Sequence, residues 1–188
     1  MELDKANLAW LVSIMLTVAL LMGLLAWRST LRNQTSLQLG TEFYLVAMQG
    51  YQTAELEKIA SSGKSQYPFL AKLKLAELAF QQNNKEKAIS IYQEIVSDKR
   101  AQRFIRDTAA YLSTLTSFSV ERDIGHMLKI ITKDDFIYRD SGKFLEALFL
   151  AKQKNFPEAT AIFEEISDRQ AAPYHLRVQA QELGSLYK

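Results

Sequence analysis

The sequence predicts an all-α protein in which an N-terminal transmembrane helix precedes a solenoid of about three to four degenerate helix pairs and a capping helix. Three observations lead to this prediction. Residues 8–27 form an uncharged and almost entirely apolar run. Further along the chain, apolar residues recur three and four positions apart, the spacing of a helix face. The 188 residues include only 7 glycines and 3 prolines, which disfavours a turn-rich sandwich or barrel.

The apolar run has the length and the flanks of a membrane anchor. At about 1.5 Å per residue, 20 helical residues cover roughly 30 Å, the thickness of a bilayer core. Trp10 and Trp27 lie near its ends, where indoles prefer the headgroup region, and Arg28 can reach lipid phosphates. The main alternative is a cleaved signal peptide, but its apolar core is usually about 7–15 residues long. A buried soluble helix is a weaker alternative, because few such helices are apolar on every face.

The anchor divides the chain into segments. They are a tail at residues 1–7, the transmembrane helix at 8–27, a juxtamembrane stalk at 28–36 and the repeat domain at 37–188. Basic charge does not decide the orientation, because Lys5 and the amino terminus on one side are balanced by Arg28 and Arg32 on the other.

The composition excludes several classes of function. Lys and Arg number 23 against 21 Asp and Glu, and this net charge of +2 is too small for nucleic-acid binding through bulk electrostatics. The chain has no cysteine, which removes disulfides, thiol catalysis and cysteine metal sites.

Helices are predicted in pairs along the repeat domain. Pro68 suits a first helical turn, so one helix begins at Tyr67, and a polar segment at residues 81–84 ends it. The next helix runs from Lys85 to Val96, with an apolar stripe that includes Ala88 and Tyr92. The remaining predicted helices are a leading pair at 38–49 and 53–60, a divergent pair at 104–115 and 123–131, and a capping helix at 174–186.

The pair at residues 67–96 recurs 71 residues later, close to twice the roughly 34-residue period of a tetratricopeptide unit. Small residues allow two helices to approach closely, and an aromatic four residues after the second-helix alanine fills the space between pairs. The alternative is any array of helical hairpins, because A-x-x-x-[FY] is common in helices. The matched positions are Lys72 and Lys143, Ala76 and Ala147, Gln82 and Gln153, Asn84 and Asn155, Ala88 and Ala159, Ile91 and Ile162, Tyr92 and Phe163, Glu94 and Glu165, and Ile95 and Ile166.

The order of these features resembles the YfgM-like family of bacterial inner-membrane proteins, which have one anchor, a short stalk and a small tetratricopeptide domain. The resemblance spans roughly residues 10–183 and is carried by the segments at 67–79, 87–95, 106–112 and 176–183. It implies a single-pass inner-membrane protein whose C-terminal domain faces the periplasm. It also implies association with the Sec translocon and with periplasmic chaperones, and no catalytic activity.

The residues themselves give little reason to expect catalysis. His126 and His175 have no ligand-type partner three or four positions away, so a metal site is not predicted. The carboxylate pairs at 134–135 and 164–165 are adjacent in sequence and therefore diverge on a helix. The Gly-Lys-Ser at 63–65 lacks the first glycine of a phosphate-binding loop. We therefore expect no enzyme activity, cofactor, metal or small-molecule substrate.

Protein binding remains as the expected function. In stacked helix pairs, the first helices usually line a groove for a peptide or a partner helix. The residues placed in this groove are Leu73, Glu77, Phe80, Gln81, Phe144, Leu148 and Lys152. The alternative is that Leu73, Phe80 and Phe144 belong to the core. The expected function is a membrane-anchored adaptor, and the alternative is a structural subunit or homo-oligomeric scaffold, since Leu37, Phe43, Tyr44 and Val46 need cover.

Overall fold

The computed structural model describes residues 34–63 and 65–187, and throughout these residues the regular structure is helical, without a strand. The all-α prediction is confirmed for this part of the chain, and the arrangement is consistent with a helical solenoid. No helix in the described ranges is long and apolar enough to cross a bilayer. The predicted anchor at 8–27, with Trp10, Trp27 and Arg28, lies outside the described residues.

The chain forms two compact units that divide between Pro68 and Phe69. The first contains α1, which covers residues 34–48 and so includes 34–36 of the predicted stalk, and α2 (Thr53–Ala60). The two helices bury Leu39, Val46, Leu56 and Ile59. The Phe43 ring lies 6.1 Å from the Tyr51 ring and 6.2 Å from the Tyr67 ring, in tilted contacts that are favourable for aromatic pairs.

The second unit consists of the remaining helices, of which α3 begins at the boundary. They are α3 (Tyr67–Gln81), α4 (Lys85–Ser97), α5 (Arg103–Ser119), α6 (Gly125–Ile131), α7 (Arg139–Lys152), α8 (Phe156–Asp168) and α9 (Tyr174–Leu186).

Two boundaries in the divergent pair differ from those that the sequence predicts. Helix α5 continues to Ser119, because the hydroxyls of Thr114 and Thr116 donate to backbone carbonyls four residues earlier and are thereby satisfied inside the helix. Helix α6 begins at Gly125, because the Asp123 carboxylate accepts the Gly125 N–H at 2.9 Å and holds a turn there.

Three hydrophobic clusters hold the second unit together. The first lies among α3, α4 and α5 around Ala76, Ala88 and Tyr92. The second lies among α7, α8 and α9 around Ala147 and Phe163. The third joins the short α6 to α7, with Phe118 of α5 packed against it. Alanines at the contacts bring the helix axes close together, as the sequence pattern predicts.

The 71-residue repeat is visible in the three-dimensional contacts. Lys72 pairs with Glu94 at 2.9 Å, and their counterparts Lys143 and Glu165 also form an ion pair. The correspondence extends beyond the residues matched in the sequence, because α5 and α9 occupy equivalent positions. The buried counterparts on this third helix are Ala101 and Ala172, Ile105 and Leu176, and Ala109 and Ala180.

The same turn closes the first helix of each pair. The backbone N–H groups of Tyr51, Asn84, Arg122 and Asn155 each donate to a carbonyl five residues earlier, in the turn that commonly ends a helix. The residue before each donor has a positive φ, and these residues are Gly50, Asn83, Glu121 and Lys154. Successive turns are 33, 38 and 33 residues apart. The local geometry therefore repeats even where the sequence signature has been lost.

Candidate protein-binding site

The four predicted groove residues on α3 differ in exposure. Glu77 is exposed, pairs with Lys74 at 2.8 Å and accepts a hydrogen bond from Gln81 Nε2 at 3.1 Å. The Phe80 ring is 41% exposed, with the Lys85 ammonium 5.8 Å from its centroid. Leu73 is half-buried and packs against the first cluster, which is the core role that the sequence left open.

The three predicted groove residues on α7 also differ in exposure. Phe144 and Leu148 are half-buried against the second cluster, and the Phe144 ring meets Phe163 edge-on at 5.5 Å. Lys152 is exposed at the end of the helix. It lines a cavity.

This cavity has a volume of about 330 Å³ and lies between the C-terminal ends of α5 and α7. Its lining residues are Phe118, Glu121, Arg122, Asp123, Phe149, Lys152 and Gln153. The turn after α5, with the positive φ of Glu121, carries three charged side chains to the cavity wall. Phe118 and Phe149 are half-buried, pack against the third cluster and give the cavity an apolar side.

Charge and aromatic groups meet at this site. The Lys152 ammonium lies 3.0 Å from Glu121 Oε1 and 5.4 Å from the Phe118 ring centroid. Arg122 pairs with Glu86 at the start of α4. Both ion pairs are solvent-exposed, and pairs of this kind contribute about 0–1 kcal/mol each. An incoming polar group can therefore replace one partner at little energetic cost.

The sequence reasoning missed Phe118 because α5 belongs to the divergent pair. A signal for it is nevertheless present in the turn register. Phe80 precedes the positive-φ residue Asn83 by three positions, and Phe118 precedes Glu121 by the same distance. An alignment based on these turns, instead of on the alanines, therefore gives Phe118 the same repeat position as Phe80, which the sequence predicts to line the groove.

The resolved pKa shifts belong to groups outside the cavity lining. Burial, with a contribution from Glu77, raises the pKa of Tyr92 to about 12. Burial also raises the pKa of Tyr111 and of Glu146. A hydrogen bond from Lys143 lowers the pKa of Glu165.

A hydrogen bond from the Arg100 side chain, with a second from its backbone N–H, lowers the pKa of Asp98 to about 2. Both histidines, His126 on α6 and His175 on α9, are exposed. Among the described residues, no group of His, Asp and Glu side chains is arranged to hold a metal ion.

Comparison with known proteins finds no matching family model, no matching curated protein and no matching solved structure.

Proposed function

We propose that this chain is a membrane-anchored helical-repeat adaptor that binds a segment of another protein in the cavity between α5 and α7. The apolar run at residues 8–27 supports the anchor. The recurring turns and the 71-residue repeat support a solenoid of the tetratricopeptide type. Repeat proteins of this architecture commonly use first-helix surfaces for binding, and α5 and α7 are the first helices of successive pairs.

The observation that carries the proposal is that one cavity combines an apolar side with charged side chains whose ion-pair partners an incoming polar group can replace. Phe118 and Phe149 offer area for an aliphatic or aromatic side chain. Lys152 and Arg122 offer donors for a carbonyl or carboxylate, while Glu121 and Asp123 accept from N–H groups. A volume of 330 Å³ lies at the small end of ligand pockets and suits part of a peptide.

The proposed setting is the periplasmic side of the inner membrane, beside the Sec translocon and a periplasmic chaperone. The support for this setting is the resemblance of the sequence to the YfgM-like family. A compartment-sensitive reporter fused to the C-terminus tests the orientation directly. A cytoplasmic signal would remove the translocon from the proposal and leave an anchored adaptor on the other side.

A site-specific crosslinking experiment tests the cavity. A photoreactive amino acid replaces Gln153 in the cavity wall or, as a matched control, the exposed Gln93 on α4. After crosslinking in cells, we expect adducts with translocon components or a periplasmic chaperone from position 153 and not from position 93. Equal adducts from both positions, or adducts with neither class of partner, would contradict the proposal.

A charge reversal provides an independent measurement. Lys152→Glu places an acid beside Glu121 and removes the cation from the Phe118 ring, whereas Lys99→Glu makes the same change on the exposed turn after α4. Both changes are at the surface and should alter stability by about 1 kcal/mol or less. We expect Lys152→Glu alone to reduce co-purified partner, by on the order of tenfold.

A further inference from the structure

Helix α1 carries an exposed apolar face that the adaptor function does not use. Leu37, Tyr44, Leu45 and Met48 are 72%, 62%, 51% and 71% exposed. Other positions on the same helix, such as Val46, are buried. Four large apolar side chains on one short helix form a patch of the kind that marks an interaction surface.

The spacing of this face is that of a coiled-coil seam. Leu37, Thr41, Tyr44 and Met48 follow one another at intervals of four, three and four residues, which is the heptad spacing of two positions that face a partner helix. The Thr41 hydroxyl donates to the Leu37 carbonyl at 3.0 Å, so its hydrogen-bonding capacity is used within the helix. We name Leu37, Thr41, Tyr44 and Met48 the α1 seam.

We infer that the α1 seam pairs with the seam of a second copy of this chain, as two parallel helices at the membrane surface. This inference shares the predicted anchor with the proposed adaptor function but does not depend on the cavity. In a parallel, in-register pair the two-fold axis runs along the helices, so each seam residue lies beside its own equivalent.

The chain that precedes α1 favours a second copy as the partner. The apolar run ends at Trp27, ten residues before Leu37. Two anchored copies therefore hold their seams at similar height and in the same direction, and the anchor raises their effective concentration. Without the anchor, a helix of 15 residues is only about 22 Å long and buries far less than the roughly 800 Å² per partner of a stable soluble dimer.

The charge of α1 disfavours the lipid surface as the occupant. Helices that lie on a membrane usually carry Lys and Arg on the polar face beside the apolar one. Residues 34–48 contain no basic residue, and Glu42 is their single charge. An acidic residue next to the apolar face would be repelled by anionic headgroups, whereas it is tolerated at the edge of a helix pair.

Single cysteines test this pairing cleanly, because the natural chain contains none. Leu37→Cys, Tyr44→Cys and Met48→Cys place a thiol in the seam. Gln38→Cys and Glu42→Cys place one at exposed positions of the same helix outside the seam. The full chain is oxidised under mild conditions in native membranes, and dimer is measured on non-reducing gels. Circular dichroism of each purified variant checks that its helices are intact.

We expect the seam variants to form disulfide dimers at least about tenfold faster than the controls, because a disulfide needs Cβ atoms within about 4.5 Å of each other. Equal rates in both sets would overturn the inference. Seam thiols that neither dimerise nor react with a water-soluble maleimide would overturn it in favour of lipid contact. Seam crosslinks to a different protein would overturn it in favour of a heterologous partner. None of these outcomes affects the cavity test.

Discussion

Gly142 in α7 is the position where one methyl group has the most predictable effect. Its N–H donates to the Tyr138 carbonyl at 2.8 Å, and the residue is buried against the end of α6. A Cβ at this position would lie 2.9 Å from the carbonyl carbon of Ile131 and closer still to its oxygen. Ile131 is fully buried, and the obstacle is backbone, so a change of side-chain rotamer cannot relieve the clash.

The expected cost of Gly142→Ala follows from two opposing terms. Overpacking a buried contact costs about 1–3 kcal/mol, because α6 and α7 must separate. Alanine in a helix recovers up to about 1 kcal/mol relative to glycine. Because the obstacle is backbone, the overpacking cost should lie in the upper part of its range, at about 2–3 kcal/mol. We therefore expect the free energy of unfolding to fall by about 1–2 kcal/mol, measured by urea denaturation of the purified full chain with circular dichroism.

Gly184→Ala in α9 is the matched control. It is also a buried helical glycine, but its new Cβ would meet the Phe163 Cβ at 3.2 Å, a contact that a shift of a few tenths of an ångström relieves. We expect its stability to stay within about 0.5 kcal/mol of the natural chain, because the propensity gain offsets the small strain. Hydrogen exchange in α6 should rise for Gly142→Ala only. A Gly142→Ala variant as stable as the natural chain would refute this account of the α6–α7 contact.

Three further changes test other parts of the fold. Phe163→Ala should lower the unfolding free energy by about 3–5 kcal/mol in denaturant titrations, because the ring is fully buried and packs edge-on against Phe144; a loss below 1 kcal/mol would contradict its central role. Tyr92→Phe should reduce the loss of unfolding free energy at alkaline pH. The pKa of Tyr92 is raised to about 12 from about 10 in the unfolded chain, so its stabilising contribution is complete below pH 10 and is lost as pH rises towards 12, by about 2 kcal/mol. Denaturation at pH 8 and pH 11 should therefore show a smaller loss in the variant, and equal losses would disprove this. Lys154→Gly should raise the free energy of unfolding by up to about 1 kcal/mol, and with it the midpoint of thermal unfolding, because residue 154 has a φ of 64° that glycine adopts without strain. A decrease would show that the side chain matters more than the backbone.

Most of the helices could be predicted from the sequence because their signals are local. Pro68 marks the first turn of α3, and the spacing of Ala88 and Tyr92 marks the buried face of α4. The divergent pair was less predictable. Its buried positions include Ser113 and Thr114 instead of large apolar residues, so the helical spacing of apolar residues stops before the helix ends at Ser119.

The residues around the predicted groove also divide into those that the sequence could identify and those that it could not. Lys152 was found because its place in the repeat follows from an alignment of the two copies. Phe118 and Phe149 were not found, because they come together only when the ends of α5 and α7 approach each other. Leu73 and Phe144 are half-buried, and spacing alone could not assign them to core or surface. The spacing of apolar residues shows which face of a helix is buried, but not how much of that face the neighbouring helix covers.

The sequence by itself determined that the described chain is helical, where its helices pair and that one unit recurs after 71 residues, because helix propensity, capping and apolar spacing act over a few neighbouring residues. Tertiary structure alone decided that Gly142 must remain small and that the cavity lies beside Lys152. These features depend on contacts between segments far apart in the chain, and such contacts leave no periodic trace in the sequence.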